Sequence, residues 1–331
     1  MRSLRLSAFH SKHGKWAKSF SELEFVAPVE TGAEKYSMCA TTEGYQASVV
    51  VSNGEKPQEL WNVRQDSKIW MSSEDGLIQE VVKRAGENQS QLRHVLDSVP
   101  IDQREGLEFL IANMPDRDLR TLTSDFLMEE VRLAYLAWDK SPWKNDIPKE
   151  VFFNYVLPYA NINERRDSWR KDFSERFSPL ISGVQTPPQA AARLNQKLFP
   201  LLNVKYSTKR PKADQSPNES INSGTASCTG LSVLLIDACR AMAIPARFVG
   251  TPLWSDKSGN HSWIEIWDNG WHFTGAPEPN GDELDKAWFV ARASTAKRDD
   301  ALNAIYAVSF QRTPVQPLPS LAVVCRCFKE L

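Results

Sequence analysis

A thiol becomes a nucleophile where its surroundings favour the thiolate. The stretch TASCTGLSVLLIDACRAMAIPARFVG, Thr225 to Gly250, puts a cysteine in such a place. Ser227 is a good helix N-cap, and Cys228 follows it at the start of a helical apolar pattern. Unpaired backbone N–H groups and the positive end of the helix dipole favour an anion there. Cys239, eleven residues on, abuts the stripe of Leu231, Leu234, Leu235, Ala238 and Met242 and reads as packing material. At 1.5 Å per residue the two cysteines lie roughly 16 Å apart, so no disulfide joins them within one helix.

A nucleophilic thiol also needs a base. The chain has five histidines, and His261 and His272 are the ones that follow Cys228. His261 opens the alternating run HSWIEIW, in which His261, Trp263, Glu265 and Trp267 share one strand face. A strand start is a rigid mount for an imidazole, so His261 is the preferred partner. His272, in GWHFTG, belongs to the next strand and reads as a satisfied polar residue of a hairpin. For the oxyanion the donors are the Cys228 backbone N–H and a side chain of the preceding loop, with Asn222, Ser223 and Thr225 as candidates. Taken one at a time, each of those reads better as ordinary loop polarity. Trp263 is the candidate to wall a substrate cleft, although most of the 11 tryptophans should be core.

These residues need elements to hold them. From Cys228 to about Ala243 the pattern predicts a helix, followed by strands at ARFVGTPLW, HSWIEIWD and WHFTG, with a turn at Asn269-Gly270. Before the helix, residues 203–225 have no period and many turn formers, which predicts a loop. Residues 73–202 have helical periodicity, strongest in SDFLMEEVRLAYLAW with Ser124 and Asp125 as capping candidates. Residues 1–72 read as a small β module with a hairpin about Asn53-Gly54, and residues 203–331 as the unit that carries the chemistry.

At 331 residues the chain is long enough for more than one unit and a substantial core. Its formal charge of -1 gives no electrostatic case for nucleic acid or an anionic membrane as main partner. No apolar run approaches the ~20 residues that span a bilayer, and the first residues lack the apolar core of a secretory signal. Localisation is not readable. Five cysteines, an odd number, argue against a disulfide scaffold. Cys325 and Cys327 share a face on a predicted strand, but no second Cys or His pair with metal-ligand spacing accompanies them. No metal and no cofactor is expected.

The cysteine at a helix start, AIPAR some fifteen residues on, then HSWIEIW and NGWHF, resemble the transglutaminase-like superfamily, the papain-like Cys-His-Asp group that includes bacterial cysteine hydrolases. The motifs cover about residues 220 to 290. The resemblance implies an α+β fold, with a papain-like core of one central helix and an antiparallel sheet, preceded here by the helical layer and the β module. It implies Cys228 as nucleophile and His261 as its partner. Ala243 stands where the family has a turn glycine. The family's aspartate falls at Thr274 or Gly275, where this chain has no carboxylate, and Glu278 is the nearest one, with Asp282 beyond. Glu278 is therefore either the third member or a surface residue in a Pro-flanked loop. Two readings follow. One is a cysteine-dependent hydrolase or acyltransferase that attacks a peptide or protein amide through a Cys228 thioester. The other is a non-catalytic member that binds or scaffolds through its N-terminal β unit.

Overall fold

The computed structural model describes residues 11–14, 36–40, 45–51, 59–64, 69–73, 78, 81–312 and 326–328. They fall in two units, Met1–Gly86 and Glu87–Leu331. In the first, β-branched and aromatic residues between turn formers pair as an antiparallel meander in spatial order β1-β2-β3-β4: Tyr36–Ala40, Tyr45–Val51, Glu59–Arg64 and Ile69–Ser73. Val49 lies opposite Trp61, so β2 and β3 pair in the antiparallel sense, while Asn53 and Gly54, about which the sequence predicts a hairpin, lie outside the described residues.

The second unit joins the helical region to the strands that follow. Its first helices are α1 Gln89–Ser98, α2 Ile101–Asn113, α3 Asp116–Thr121, α4 Ser124–Lys140, α5 Lys149–Tyr155, α6 Arg170–Phe177 and α7 Pro187–Leu202. The cap of α4 is Thr123, whose side chain accepts from the Phe126 N–H at 3.2 Å, and not Ser124 or Asp125. The expected loop at 203–225 holds more structure than its composition announces. Lys205–Tyr206 (β5) pairs in parallel with Thr225–Ala226 (β6), and Pro217–Ser223 forms α8 behind a capping box of Ser216 and Glu219. The sequence signal was there, in Ser-x-x-Glu with proline at the first helical position.

Cys228–Ala241 forms α9, the predicted central helix, and every residue from Gly230 to Ala241 is buried. A helix enclosed on all sides must also satisfy its polar residues. Asn161 donates to Asp237 at 2.8 Å, and Arg240 donates to the carbonyls of Tyr155, Ala160 and Ala246. Arg170, fully buried, pairs with Glu130 at 2.9 Å and donates to the carbonyls of Arg240, Leu157 and Pro158. Beside α9 lies an antiparallel sheet in the order β11-β10-β7-β8-β9, with β7 Ala246–Thr251, β8 His261–Trp267, β9 Trp271–Thr274, β10 Tyr306–Val308 and β11 Arg326–Phe328. Across β7 and β8, Arg247 faces Glu265 and donates to it at 2.8 Å, while its guanidinium lies 3.7 Å from the Trp271 ring centre. A short helix, α10 Val290–Ala293, follows the sheet's third strand. Cys327 is on β11, whereas Cys325 and the side chains of that strand lie outside the described residues.

Candidate active site

Ser227 caps α9 from two sides. Its Oγ accepts from the Gly230 N–H at 3.2 Å and donates to the Ala213 carbonyl at 2.6 Å, which ties the helix start to the preceding loop. Gly230 lies close against that segment, since a Cβ there would sit 3.1 Å from Ala226 Cβ and 3.3 Å from Ser220 Oγ. Cys228 is the first residue of the helix and is half-buried, so its thiol sits at a helix N-terminus in a residue that is not closed off from solvent. Cys239 is fully buried on the same helix, and burial pushes its thiol well above the ordinary cysteine range.

The start of β8 is fastened to the start of α9 by Thr229 and Ser262, whose hydroxyls lie 3.1 Å apart. These are the residues that directly follow Cys228 and His261. Strand alternation then turns His261, Trp263 and Glu265 to the face opposite Ser262. The His261 ring packs there against Trp288 at 4.9 Å, Phe289 at 5.0 Å, Trp254 at 5.9 Å and Trp263 at 6.1 Å between ring centres. His261 is 8 % exposed, and its Nε2 is buried without a hydrogen-bond partner. Burial among these rings lowers its pKa to about 4, so the imidazole is neutral at ordinary pH. No hydrogen bond joins Cys228 to His261.

Residues 175–275, from α6 to the residue after β9, match the model of the transglutaminase-like superfamily. This part of the chain is transglutaminase-like. A search of curated proteins finds no match. Among solved structures, a protein from Cytophaga hutchinsonii described as a candidate cysteine protease aligns at 17% identity with a TM-score of 0.32, over 50% of this chain and 54% of that one. The chain thus spans about half the length of that protein.

Where the resemblance places an aspartate, β9 ends at Thr274 and is followed by Gly275, both buried. Asn195 of α7, which the sequence did not single out, donates to Thr274 Oγ1 at 3.2 Å and to the Gly275 carbonyl at 2.8 Å. Glu278 lies just beyond the matched segment and folds back, so that a Cβ added at Gly275 would run into its carboxylate. That carboxylate accepts from Trp288 Nε1 at 2.7 Å, and burial raises its pKa. Glu278 therefore reaches His261 through the indole of Trp288 and not by a bond of its own.

The remaining candidates are placed elsewhere. Trp263 is fully buried, stacked between Trp254 and Phe289, and has no surface to offer a substrate. Alternation sets its face; what covers that face is Trp254, from the connection just before β8, and Phe289, from beyond β9. Asn222 is exposed on the last turn of α8, and its amide makes no hydrogen bond to the α9 N-terminus. Ser223 Oγ donates to the Thr225 carbonyl at 2.7 Å, and Gln215 Nε2 donates to both Ser223 Oγ and the Thr225 carbonyl, so both residues are engaged away from the α9 N-terminus. His272 is clasped by Asp285 Oδ2 at 2.6 Å and by the Asp268 carbonyl at 3.3 Å. It sits opposite Ile266, at the far end of β8 from His261. Among the described residues no group of His, Cys, Asp and Glu is placed to hold a metal ion, and no helix is long and apolar enough to cross a membrane.

Proposed function

We propose that the chain is a cysteine-dependent hydrolase or acyltransferase acting on an amide or peptide bond, with Cys228 as nucleophile. The observation that carries this reading is the half-buried thiol at the first residue of a capped helix, in a segment that matches the transglutaminase-like superfamily. In this reaction His261 takes the thiol proton while Sγ bonds to the carbonyl carbon. The oxyanion that forms faces the N–H groups of the first turn of α9. When the C–N bond breaks, the imidazolium returns the proton to the leaving amine and a thioester remains. Water, or an acceptor amine, then attacks the thioester with His261 again removing a proton, and the C–S bond breaks to restore the thiol. A neutral His261 suits a general base that acts during attack more than a resting thiolate-imidazolium pair.

A second reading, a non-catalytic binding module, is favoured by one observation: the His261 ring is enclosed by aromatic side chains and Nε2 has no partner. Alkylation separates the two. Iodoacetamide is applied to the native protein across pH and located by mass spectrometry, with His261→Ala in parallel. An enzyme should show Cys228 alkylated faster than an ordinary thiol, and at least about tenfold more slowly in the variant. Equal rates in both proteins would leave the binding module.

A further inference from the structure

We infer that Trp288 is a positioning residue for His261: Glu278 pins its indole over the imidazole, and the pinned ring keeps water from that side chain. The inference rests on the reading of His261 as the base. Its starting point is a contrast in exposure. His261 is 8 % exposed, yet Trp288, whose ring centre is 4.9 Å away, is 55 % exposed. The outer wall of the imidazole's site is therefore a surface tryptophan. A side chain that open would sample several rotamers unless something held it. The hydrogen bond from Nε1 to Glu278 Oε2, at 2.7 Å, is what holds it. The Arg292 guanidinium adds a contact 5.8 Å from the ring centre and is itself drawn to Asp256. Gly275 leaves the space that the Glu278 carboxylate fills.

No ionised neighbour accounts for the state of His261. The charged groups on the elements around it are Glu278, Lys286 and Arg292 on one side, Asp256 and Lys257 on the Trp254 loop, and Glu265 further along the same face of β8, paired with Arg247 of β7, with the Cys228 thiol at the start of α9. The lowering of its pKa to about 4 has burial as its cause. Trp288 is the part of that burial which a single exposed hydrogen bond controls.

The test is a histidine titration by NMR on the full chain, following the His261 ring in wild type, Trp288→Ala, Glu278→Ala and Glu278→Gln. Because Trp288 is exposed, its removal leaves the core of the unit intact. Trp288→Ala should raise the His261 pKa by about one unit or more toward its ordinary 6.5. Glu278→Ala should raise it as well, since the indole is released. A through-space effect of the carboxylate has the opposite sign, because losing a negative charge lowers a histidine pKa. Glu278→Gln keeps an acceptor for the indole and should leave the value low. A His261 pKa unchanged in Trp288→Ala, or lowered in Glu278→Ala, overturns the inference. Cys228 alkylation in the same variants keeps the two questions apart. A pKa that moves as expected while alkylation ignores His261 supports the pin and sinks the enzyme. An unmoved pKa with His261-dependent alkylation does the reverse.

Discussion

Two cysteines on one helix have been given different environments by their phase and distance from the cap. Cys228 sits at a helix N-terminus and is not closed off from solvent, whereas Cys239 is buried within the helix, and burial pushes its thiol far up. Native protein should therefore show no alkylation at Cys239 until it is unfolded, which peptide mapping after a short iodoacetamide pulse would check. Cys239→Ser should lower stability by about 1–3 kcal/mol, because it puts a hydroxyl with no assured partner into the core. Denaturant melts should show a lower midpoint at an unchanged slope. This difference in burial was legible in the sequence, since the stripe of Leu231, Leu235 and Ala238 fixes the helix phase. The surroundings of His261 were not. Alternation sets its face on β8, but the residues that close over it, Trp288 and Phe289, arrive from a loop with no periodicity to read.

At the scale of elements, the helix and the sheet were legible because each has a strong period and sharp punctuation. Ser227 and the Asn269-Gly270 turn stand at the ends of α9 and β8, and the structure places the boundaries there. The segment before α9 reads as loop because α8 is only seven residues long, too short for periodicity to register, and its capping box with the proline at the first helical position is the signal it carries. The pairing of β7 with β8 carries the clearest energetic stake. Arg247 and Glu265 lie opposite one another, both nearly inaccessible, with the Trp271 ring over the guanidinium. Removing one partner of a buried pair strands the other's charge, so Glu265→Ala should cost about 3–5 kcal/mol. Thermal or denaturant unfolding would measure it. A loss below about 1 kcal/mol, the level of an exposed pair, would mean that water reaches Arg247.

For the molecule as a whole, the placing of its ionisable groups becomes a dependence of stability on pH, and the two characterised imidazoles pull in opposite directions. His272 has a raised pKa because Asp285 holds it, so its contribution is present below the ordinary histidine value and is lost as pH rises through the folded one. That pair is exposed, with side chains 37% and 45% accessible, and solvent screens it to a small effect. His261 is the reverse case. Its folded pKa is about 4 against an ordinary 6.5, so the unfolded chain takes up a proton in this range while the folded chain does not. Its cost is nil above about pH 6.5 and grows as pH falls toward 4. At about 1.4 kcal/mol per unit, the full loss is about 3 kcal/mol. Glu219, whose pKa is lowered with help from the Ser216 N–H and Lys212, adds its own loss below the usual carboxylate range, so wild-type melts alone do not isolate the histidine. His261→Phe does, because an apolar ring suits a site walled by Trp254, Trp288 and Phe289 and has no proton to gain. The difference between the two stability curves should be flat above pH 6.5 and should favour the variant increasingly down to pH 4. A flat difference across the whole range would mean that His261 takes up its proton in the folded protein as readily as in the unfolded chain, and that the aromatic wall does not exclude water.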